Sequence, residues 1–439
     1  MMRITAAVFA MALAIPATAD VDIQEITSPG GLTSWLVEEP AIPFIALEVR
    51  FKGGGSLDLP GKRGAISLMT SLLEEGAADL DARGFARAKE GMAASFGYSV
   101  SDDGLTVTAR FLTENSDDAV DLLRNSLVAP RFDEEAVERV RQQLLSNIRS
   151  DDKDPDTLAR RAFDVMAYGA EHPYGSSIDG TAESITGLTR DDLITAHRNL
   201  LVKDRVDIGV VGDIDPEALG AMLDKLLGDL PTGGAALPSK VDVSIKGGVT
   251  VVPYDTPQSV AIFGHSGIDR DDDDFFAAFL LNHVLGAGGF ESRLMTEVRE
   301  KRGLTYGVYS YLAPKDFAAT YQGSVASQND RIGEAITVIG DEWRKIATDG
   351  VTAKELADAK LFLTGAYPLR FDGNSNIASI LVGMQSQDLP IDYIATRNDK
   401  VNAVTMEDVT RVAKRIYQPE NLHFVVVGKP VGLSTSAGN

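Results

Sequence analysis

One short segment concentrates the residues that could do chemistry. It runs from Gly289 to Tyr311 as GFESRLMTEVREKRGLTYGVYSY, and it places Tyr306 seven positions after Arg299. A guanidinium and a phenol are hydrogen-bond donors that can stabilise a negative tetrahedral oxygen or hold a peptide carbonyl group. On the residues alone, a charged helix end followed by an aromatic strand explains the pattern better than a site does.

The pattern around this pair predicts how both side chains could reach one cleft. Basic residues in the last turn and Gly303 after it are typical of a helix that ends there. The next residues predict a strand, with Tyr306 just inside it. A joint of helix, glycine and strand can direct Arg299 and Tyr306 into the same cleft.

Other kinds of site are poorly supported. The chain has five histidines and no cysteine, and no two histidines are three or four residues apart, so no helix offers a histidine pair to a metal ion. His283, among apolar residues, is predicted to be a core or cleft histidine. The serines lack a G-x-S-x-G setting, and the glycine runs lack the spacing of a phosphate-binding loop. A formal net charge of −22 disfavours nucleic acid as a partner.

The chain contains an internal repeat. Residues 188–212 (LTRDDLITAHRNLLVKDRVDIGVVG) align without a gap with residues 404–428 (VTMEDVTRVAKRIYQPENLHFVVVG) at an offset of 216. Each copy predicts a helix capped by Thr189 or Thr405, then a polar loop and a short buried strand that ends in glycine. We interpret the repeat as a domain duplication.

The predicted fold class is α+β, with two homologous mixed α/β sandwich domains related by the duplication. The boundaries are expected at 20–231 for the N-terminal domain and 249–430 for the C-terminal domain. Residues 232–248, rich in Pro and Gly at their start, are predicted to be a linker. Residues 431–439 form a tail, of which the part from Leu433 onward is expected to be disordered.

The first nineteen residues predict a cleaved export signal. Arg3 supplies a positive start, Ile4 to Ile15 is an uncharged apolar run, and Ala17-Thr18-Ala19 fits a cleavage site before Asp20. The apolar run is too short to span a bilayer as a helix. In a Gram-negative bacterium the product would be periplasmic, with no membrane span.

The order S-R-L-x-x-x-V-R-E-K-R-G-L-x-Y after a glycine-rich turn resembles the second half of the pitrilysin-like zinc peptidases, which include the mitochondrial processing peptidase. The resemblance extends to the repeat, the linker and His172-Pro173-Tyr174-Gly175. It implies that Arg299 and Tyr306 contact the substrate backbone and the developing oxyanion. It also implies that Gly288, Gly289 and Phe290, in the glycine-rich turn, bind substrate, and that the two domains form half of a clamshell chamber.

The sequence departs from the family at the zinc site. Catalytic members carry H-x-x-E-H on the first helix of the first half and a third ligand, Glu, about 75 residues later. Here Ser67, Thr70 and Ser71 occupy the motif positions, and residues 145–148 read LSNI with no carboxylate. Hydroxyl groups do not hold Zn²⁺ or activate its water. We therefore expect no metal or other cofactor in this chain, which would be inactive alone.

The resemblance implies a subunit of a two-chain zinc metallopeptidase. A homologous H-x-x-E-H chain would hold the zinc, and this chain would bind the peptide and assist the transition state. The alternative is a catalytically inert structural or peptide-binding homologue. A self-sufficient peptidase with a displaced site is disfavoured, because H-x-x-E-H occurs nowhere in the chain.

Overall fold

The computed structural model describes residues 21–437, which fold around two six-stranded sheets. The predicted signal peptide lies outside the described residues. No helix between residues 21 and 437 combines the length and the apolar composition that crossing a membrane requires.

The first half of the chain contains strands and helices that occur in runs. Its strands are β1 (Gln24–Thr27), β2 (Thr33–Glu38), β3 (Phe44–Lys52), β4 (Gly76–Ala77), β5 (Leu80–Asp81), β6 (Ser95–Val100), β7 (Gly104–Leu112) and β8 (Val206–Gly212). Its helices are α1 (Ala65–Thr70), α2 (Ala82–Gly91), α3 (Ser116–Val128), α4 (Glu134–Asp151), α5 (Pro155–Tyr168), α6 (Ala182–Thr186), α7 (Arg190–Leu200) and α8 (Pro216–Leu227).

The second half repeats the pattern. Its strands are β9 (Gly248–Pro253), β10 (Gln258–Ser266), β11 (Val308–Pro314), β12 (Ala319–Gln328), β13 (His423–Gly428) and β14 (Ser436–Ala437). Its helices are α9 (Phe275–Asn282), α10 (Ile332–Asp349), α11 (Ala353–Gly365), α12 (Asn374–Ser386), α13 (Tyr393–Ala403) and α14 (Met406–Ile416). Two π-helical turns, His283–Ala287 and Met295–Glu300, lie between α9 and β11.

The two sheets have the same strand order. The first runs β6-β7-β3-β8-β2-β1 and the second β11-β12-β10-β13-β9-β14. In each, only the fourth and fifth strands run parallel (β8 with β2, β13 with β9), so both sheets are mixed. The observed architecture confirms the predicted fold class of two homologous α/β halves.

The repeated segment has the predicted structure in both copies. Helices α7 and α14 begin at residues 190 and 406 and end at 200 and 416, so both ends differ by 216. Thr189 and Thr405 each cap their helix by accepting a hydrogen bond from a backbone N–H, and the Asp three residues later bonds back to the cap. This reciprocal capping box satisfies N–H groups that the first turn leaves unpaired.

One helix of each half packs on the sheet of the other half. Helix α5 packs on β10 and β13 of the second sheet, where Phe163 is buried among Ile262 and Val425. Helix α12 packs on β8 and β3 of the first sheet. A Cβ at Gly209 of β8 would lie 2.6 Å from the carbonyl oxygen of Ala378, so glycine permits the close approach of α12.

The hairpin turns of the two sheets also meet. The Nζ atom of Lys315, beside the β11–β12 turn, lies 2.7 Å from Oδ2 of Asp102 in the β6–β7 turn. The Tyr174 hydroxyl donates to the carboxylate of Asp103 and accepts a hydrogen bond of 3.1 Å from the backbone N–H of Phe317. Burial raises the pKa of Asp103, and the bond from Tyr174 opposes that rise. These contacts and the exchanged helices join the halves.

Two local predictions were wrong, and a third was confirmed with a change in hydrogen bonding. The helix expected from Gly64 to Glu75 is α-helical only over Ala65–Thr70. The helix expected from Phe275 to Leu285 is present, and its hydrogen bonding changes from α to π after Asn282. The tail is not wholly disordered, because β14 pairs with β9 and the Thr435 hydroxyl accepts a hydrogen bond from the N–H of Val251 at 3.0 Å.

Candidate functional site

The segment that carries Arg299 and Tyr306 has the predicted helix and glycine but a different strand start. Arg299 lies in the π-helical turn Met295–Glu300, and Gly303 follows it in the left-handed region at φ 58°. The N–H of Gly303 donates to the carbonyl oxygen of Arg299 at 2.8 Å. Tyr306 is not inside the strand as predicted, since β11 begins at Val308.

A threonine that the sequence interpretation did not single out fixes the loop before β11. The Thr305 hydroxyl accepts a hydrogen bond from the N–H of Gly307 at 3.1 Å and lies 2.7 Å from the carbonyl oxygen of Ala326 in β12. These side-chain bonds take the place of ladder bonds, and they leave Tyr306 at the apex of the loop. The threonine next to Tyr306 could have indicated from the sequence that this segment forms a loop, because Thr favours such local side-chain hydrogen bonds.

Arg299 and Tyr306 line one cleft of about 320 Å³ between the loop and β12. Its other polar side chains include Gln258, Gln328 and Arg331. No carboxylate among residues 21–437 lines this cleft, although the chain is strongly acidic overall. The cleft therefore presents donors and positive charge, which suit a carbonyl oxygen or an oxyanion.

Both side chains have unused donors. The Tyr306 side chain is 88% exposed, and within the described part of the chain neither Tyr306 nor Arg299 forms a side-chain hydrogen bond or an ion pair. The Cζ atom of Arg299 lies 4.6 Å from the ring centre of Phe290, so the guanidinium is held by a cation–π contact. Neighbouring Lys301 and Arg302, in contrast, both pair with Glu297.

The glycine-rich turn lies next to this segment. Gly289 has φ 58°, and Phe290 is 62% exposed under the Arg299 guanidinium. A Cβ at Gly288 would lie 2.7 Å from the carbonyl oxygen of half-buried His283, whose ring stacks on Phe362 with centres 5.1 Å apart. Burial lowers the pKa of His283, as expected for a neutral cleft histidine. The structure thus brings Phe290 and Arg299 into contact, with Gly288 and Gly289 immediately before them.

The helix at the zinc-motif position does not fit a metal ion. The Ser67 hydroxyl donates to Asp179 at 2.5 Å, and the Ser71 hydroxyl donates to the carbonyl oxygen of Ser67 at 3.0 Å. The buried Thr70 hydroxyl has no hydrogen-bond partner in the region that the structure covers. Asp58 accepts hydrogen bonds from the N–H groups of Gly64 and Ile66 at 2.8 and 2.9 Å, so it serves the helix start.

The position of the third ligand is equally unsuited to zinc. On α4, Leu145 and Ile148 are buried in the first core, whereas Ser146 and Asn147 are exposed. Across residues 21–437, no group of three His, Asp or Glu side chains is arranged so that it could hold a metal ion. The residues at the zinc-motif positions and at the third-ligand position therefore do not form a zinc site.

Two profiles of one family match the chain. Residues 36–181 match the insulinase family, peptidase family M16, and residues 187–363 match the peptidase M16 inactive domain. The first match lies within the first half of the chain, and the second extends from the end of the first half to residue 363 in the second half.

Known proteins agree with the profiles. A crystal structure of a peptidase M16 inactive domain from Pseudomonas fluorescens is 28% identical, with a TM-score of 0.87 over 95% of this chain and all of that one. A non-peptidase homolog, YmxG, of Helicobacter pylori is 28% identical over 89% of this chain and 90% of its own length. An uncharacterized zinc protease of Mycobacterium leprae is 27% identical over 89% of this chain and 88% of its own length.

The duplicated fold, the S-R-L to Tyr306 segment and the profile matches lead to one assignment. The chain belongs to the M16 peptidase family, as a member in which Ser67, Thr70 and Ser71 replace the zinc-binding motif.

Proposed function

We propose that this chain is the subunit that binds substrate and assists the transition state in an exported, heterodimeric zinc metallopeptidase. The partner is a homologous H-x-x-E-H chain that holds the zinc. We further propose that residues 1–19 direct export to the periplasm, and that the domains extend over 20–231 and 249–430.

The observation that carries this proposal is the pair of unused donors at one cleft. Arg299 and Tyr306 line the same cleft without a side-chain hydrogen bond or ion pair to any residue from 21 to 437. A protein with 64 acidic residues has many carboxylates with which to neutralise a guanidinium. Donors that stay free in such a protein are available to a ligand from outside the chain.

The geometry suggests a division of labour between the two residues. The partner's zinc site would supply the activated water that attacks the peptide carbonyl. The Arg299 guanidinium would hold a carbonyl oxygen of the substrate backbone, because it offers several donors in one plane. The Tyr306 hydroxyl would donate to the oxygen that gains negative charge. The substrate would lie as an added strand beside the partner's sheet.

The loss of the zinc ligands also fits a catalytically inert structural or peptide-binding homologue. That alternative explains Ser67, Thr70 and Ser71, but it gives no reason for the free donors of Arg299 and Tyr306. It therefore remains the second candidate, and an assembly experiment separates the two.

Co-expression with each exported H-x-x-E-H homologue of the same organism is expected to give a 1:1 complex. Neither chain has a complete site, and two chains with two domains each can close face to face around a substrate. Size-exclusion chromatography with light scattering measures the stoichiometry. The Arg299→Lys variant is the matched control and is expected to assemble as the wild type does. A chain that stays unpaired with every such homologue would favour the inert alternative.

A further inference from the structure

A second cleft lies away from Arg299 and Tyr306, among α9, α12, α13 and the 3₁₀ turn Tyr367–Phe371. Its volume is about 400 Å³, within the range of small-molecule sites. Five aromatic side chains dominate its wall: Phe275, Phe276, Phe279, Tyr367 and Tyr393. Apolar walls of this kind suit a ligand with an apolar body.

The charged residues of this cleft are all arginines. Arg270, Arg370 and Arg397 line it, and no Asp or Glu of the described chain does so. This is unusual in a protein with 42 basic and 64 acidic residues. Within residues 21–437, none of the three arginines forms an ion pair with a carboxylate, whereas Arg411 and Arg415 nearby each pair with Asp274.

The partners of the two inner arginines are neutral. The Cζ atom of Arg270 lies 4.2 Å from the ring centre of Phe275, and its Nη2 donates to the Tyr393 hydroxyl at 2.7 Å. Arg397 is only 5% exposed, lies 4.5 Å from the ring centre of Tyr367, and donates to a backbone carbonyl oxygen at 2.8 Å. Burial lowers the pKa of Arg397, as expected where no counter-charge compensates for lost water.

Arg370, the third arginine, lies at the opening of the cleft. Its side chain is exposed and forms no hydrogen bond with the described residues. Two guanidiniums thus lie against the aromatic wall and a third is free at the opening. Positive charge buried without a counter-ion is costly, and a bound anion would offset that cost.

We propose that this cleft binds a carboxylate that carries an apolar group. The aromatic wall would enclose the apolar group, and the guanidiniums would hold the carboxylate, whose two oxygens match their paired donors. A fatty acid and the free C-terminal residue of an apolar peptide share this chemistry. The site is separate from the cleft of Arg299 and Tyr306, and this proposal does not depend on the peptidase role proposed above.

Isothermal titration of the full chain with two probes tests the proposal. Decanoate represents the fatty acid, and N-acetylphenylalanine represents a peptide C-terminus. At least one is expected to bind saturably, and the one that binds identifies the source. The neutral analogues, decan-1-ol and N-acetylphenylalanine amide, are expected to bind at least tenfold more weakly, because they leave the guanidiniums uncompensated.

Two variants place the binding in this cleft. Arg370→Gln removes the free guanidinium and is expected to lower the affinity for the probe that binds about tenfold. Gly383→Leu adds a side chain on α12 where a Cβ meets nothing within 4 Å, so it fills the cleft and is expected to abolish binding. Arg149→Gln, an exposed arginine on α4, is the matched control and leaves affinity unchanged.

Three results would overturn the proposal. They are saturable binding by neither carboxylate, equal affinity for the neutral analogues, and wild-type affinity in a Gly383→Leu chain that is folded by circular dichroism. The first result would mean that aromatic contacts alone stabilise the arginines. Loss of probe binding leaves assembly with a zinc-bearing partner intact, so this test and the assembly experiment fail independently.

Discussion

Replacing Tyr306 with Phe is expected to lower the kcat/KM of the assembled two-chain peptidase by about 10²–10³-fold. This corresponds to about 2.7–4 kcal/mol, the range for the loss of one oxyanion donor. The substitution deletes one hydroxyl and keeps the ring. Because the side chain is 88% exposed and its hydroxyl has no partner within residues 21–437, folding is expected to be unchanged. Steady-state peptide hydrolysis measures the loss.

Arg299→Lys completes this first test. Lys keeps the charge but loses the planar fork of donors and the stacking on Phe290. We expect KM to rise and kcat to fall, with zinc content and 1:1 stoichiometry unchanged. Tyr309→Phe, a tyrosine on β11 that is 49% exposed, is the matched control and is expected to retain activity. If both Tyr306→Phe and Arg299→Lys keep near-full activity, Arg299 and Tyr306 have no role in catalysis. They would then be only a charged residue at a helix end and an aromatic residue in a loop.

The second large effect concerns the exchanged helices. Phe163→Ala is expected to lower the free energy of unfolding by about 3–5 kcal/mol, because it opens a cavity in a close-packed core. Phe163 is fully buried and lies between α5 of the first half and the sheet of the second. Val165→Ala, on the same helix but 46% exposed, is the matched control and is expected to change stability by less than about 0.5 kcal/mol.

Because each half contributes a helix to the sheet of the other half, the loss of stability in Phe163→Ala is expected to affect both halves. The chain has two tryptophans. Trp35, on β2 of the first sheet, packs with residues of α12 such as Leu381, and Trp343 lies in the core of the second half. Variants with a single tryptophan therefore report on the first sheet with its α12 contact and on the second core. In urea titrations, both reporters are expected to show one transition, and Phe163→Ala is expected to shift it for both. Two separate transitions, with only one half affected, would contradict the structural coupling.

Local signals explain what could be predicted from the sequence. A capping threonine, a helical period and a glycine-ended apolar strand lie within 25 residues in each repeat, and both copies fold as expected. The end of the Arg299 helix at Gly303 is equally local. The absence of the zinc ligands could be inferred from Ser67, Thr70 and Ser71, because hydroxyls in place of imidazoles are visible in the sequence itself.

The features that the sequence did not reveal depend on distant or subtle contacts. Strand β11 was expected to include Tyr306. It begins only at Val308, because the side-chain hydrogen bonds of Thr305 hold the preceding residues in a loop. The pairing of Ser436 with Val249 joins a polar tail to a strand far away in sequence, without a hydrophobic pattern to indicate it. Likewise, the exchange of α5 and α12 and the cleft that unites Arg270 with Arg397 appear only in the tertiary structure.

A titration of the zinc-bearing partner with this chain during peptide hydrolysis tests whether the two chains share one active site. Neither chain alone is expected to hydrolyse the peptide at an appreciable rate. The kcat/KM is expected to rise with added chain until the ratio reaches 1:1, and the Tyr306→Phe chain is expected to give the same 1:1 end point at a far lower rate. A partner that has full activity without this chain would show that Arg299 and Tyr306 are not needed for hydrolysis.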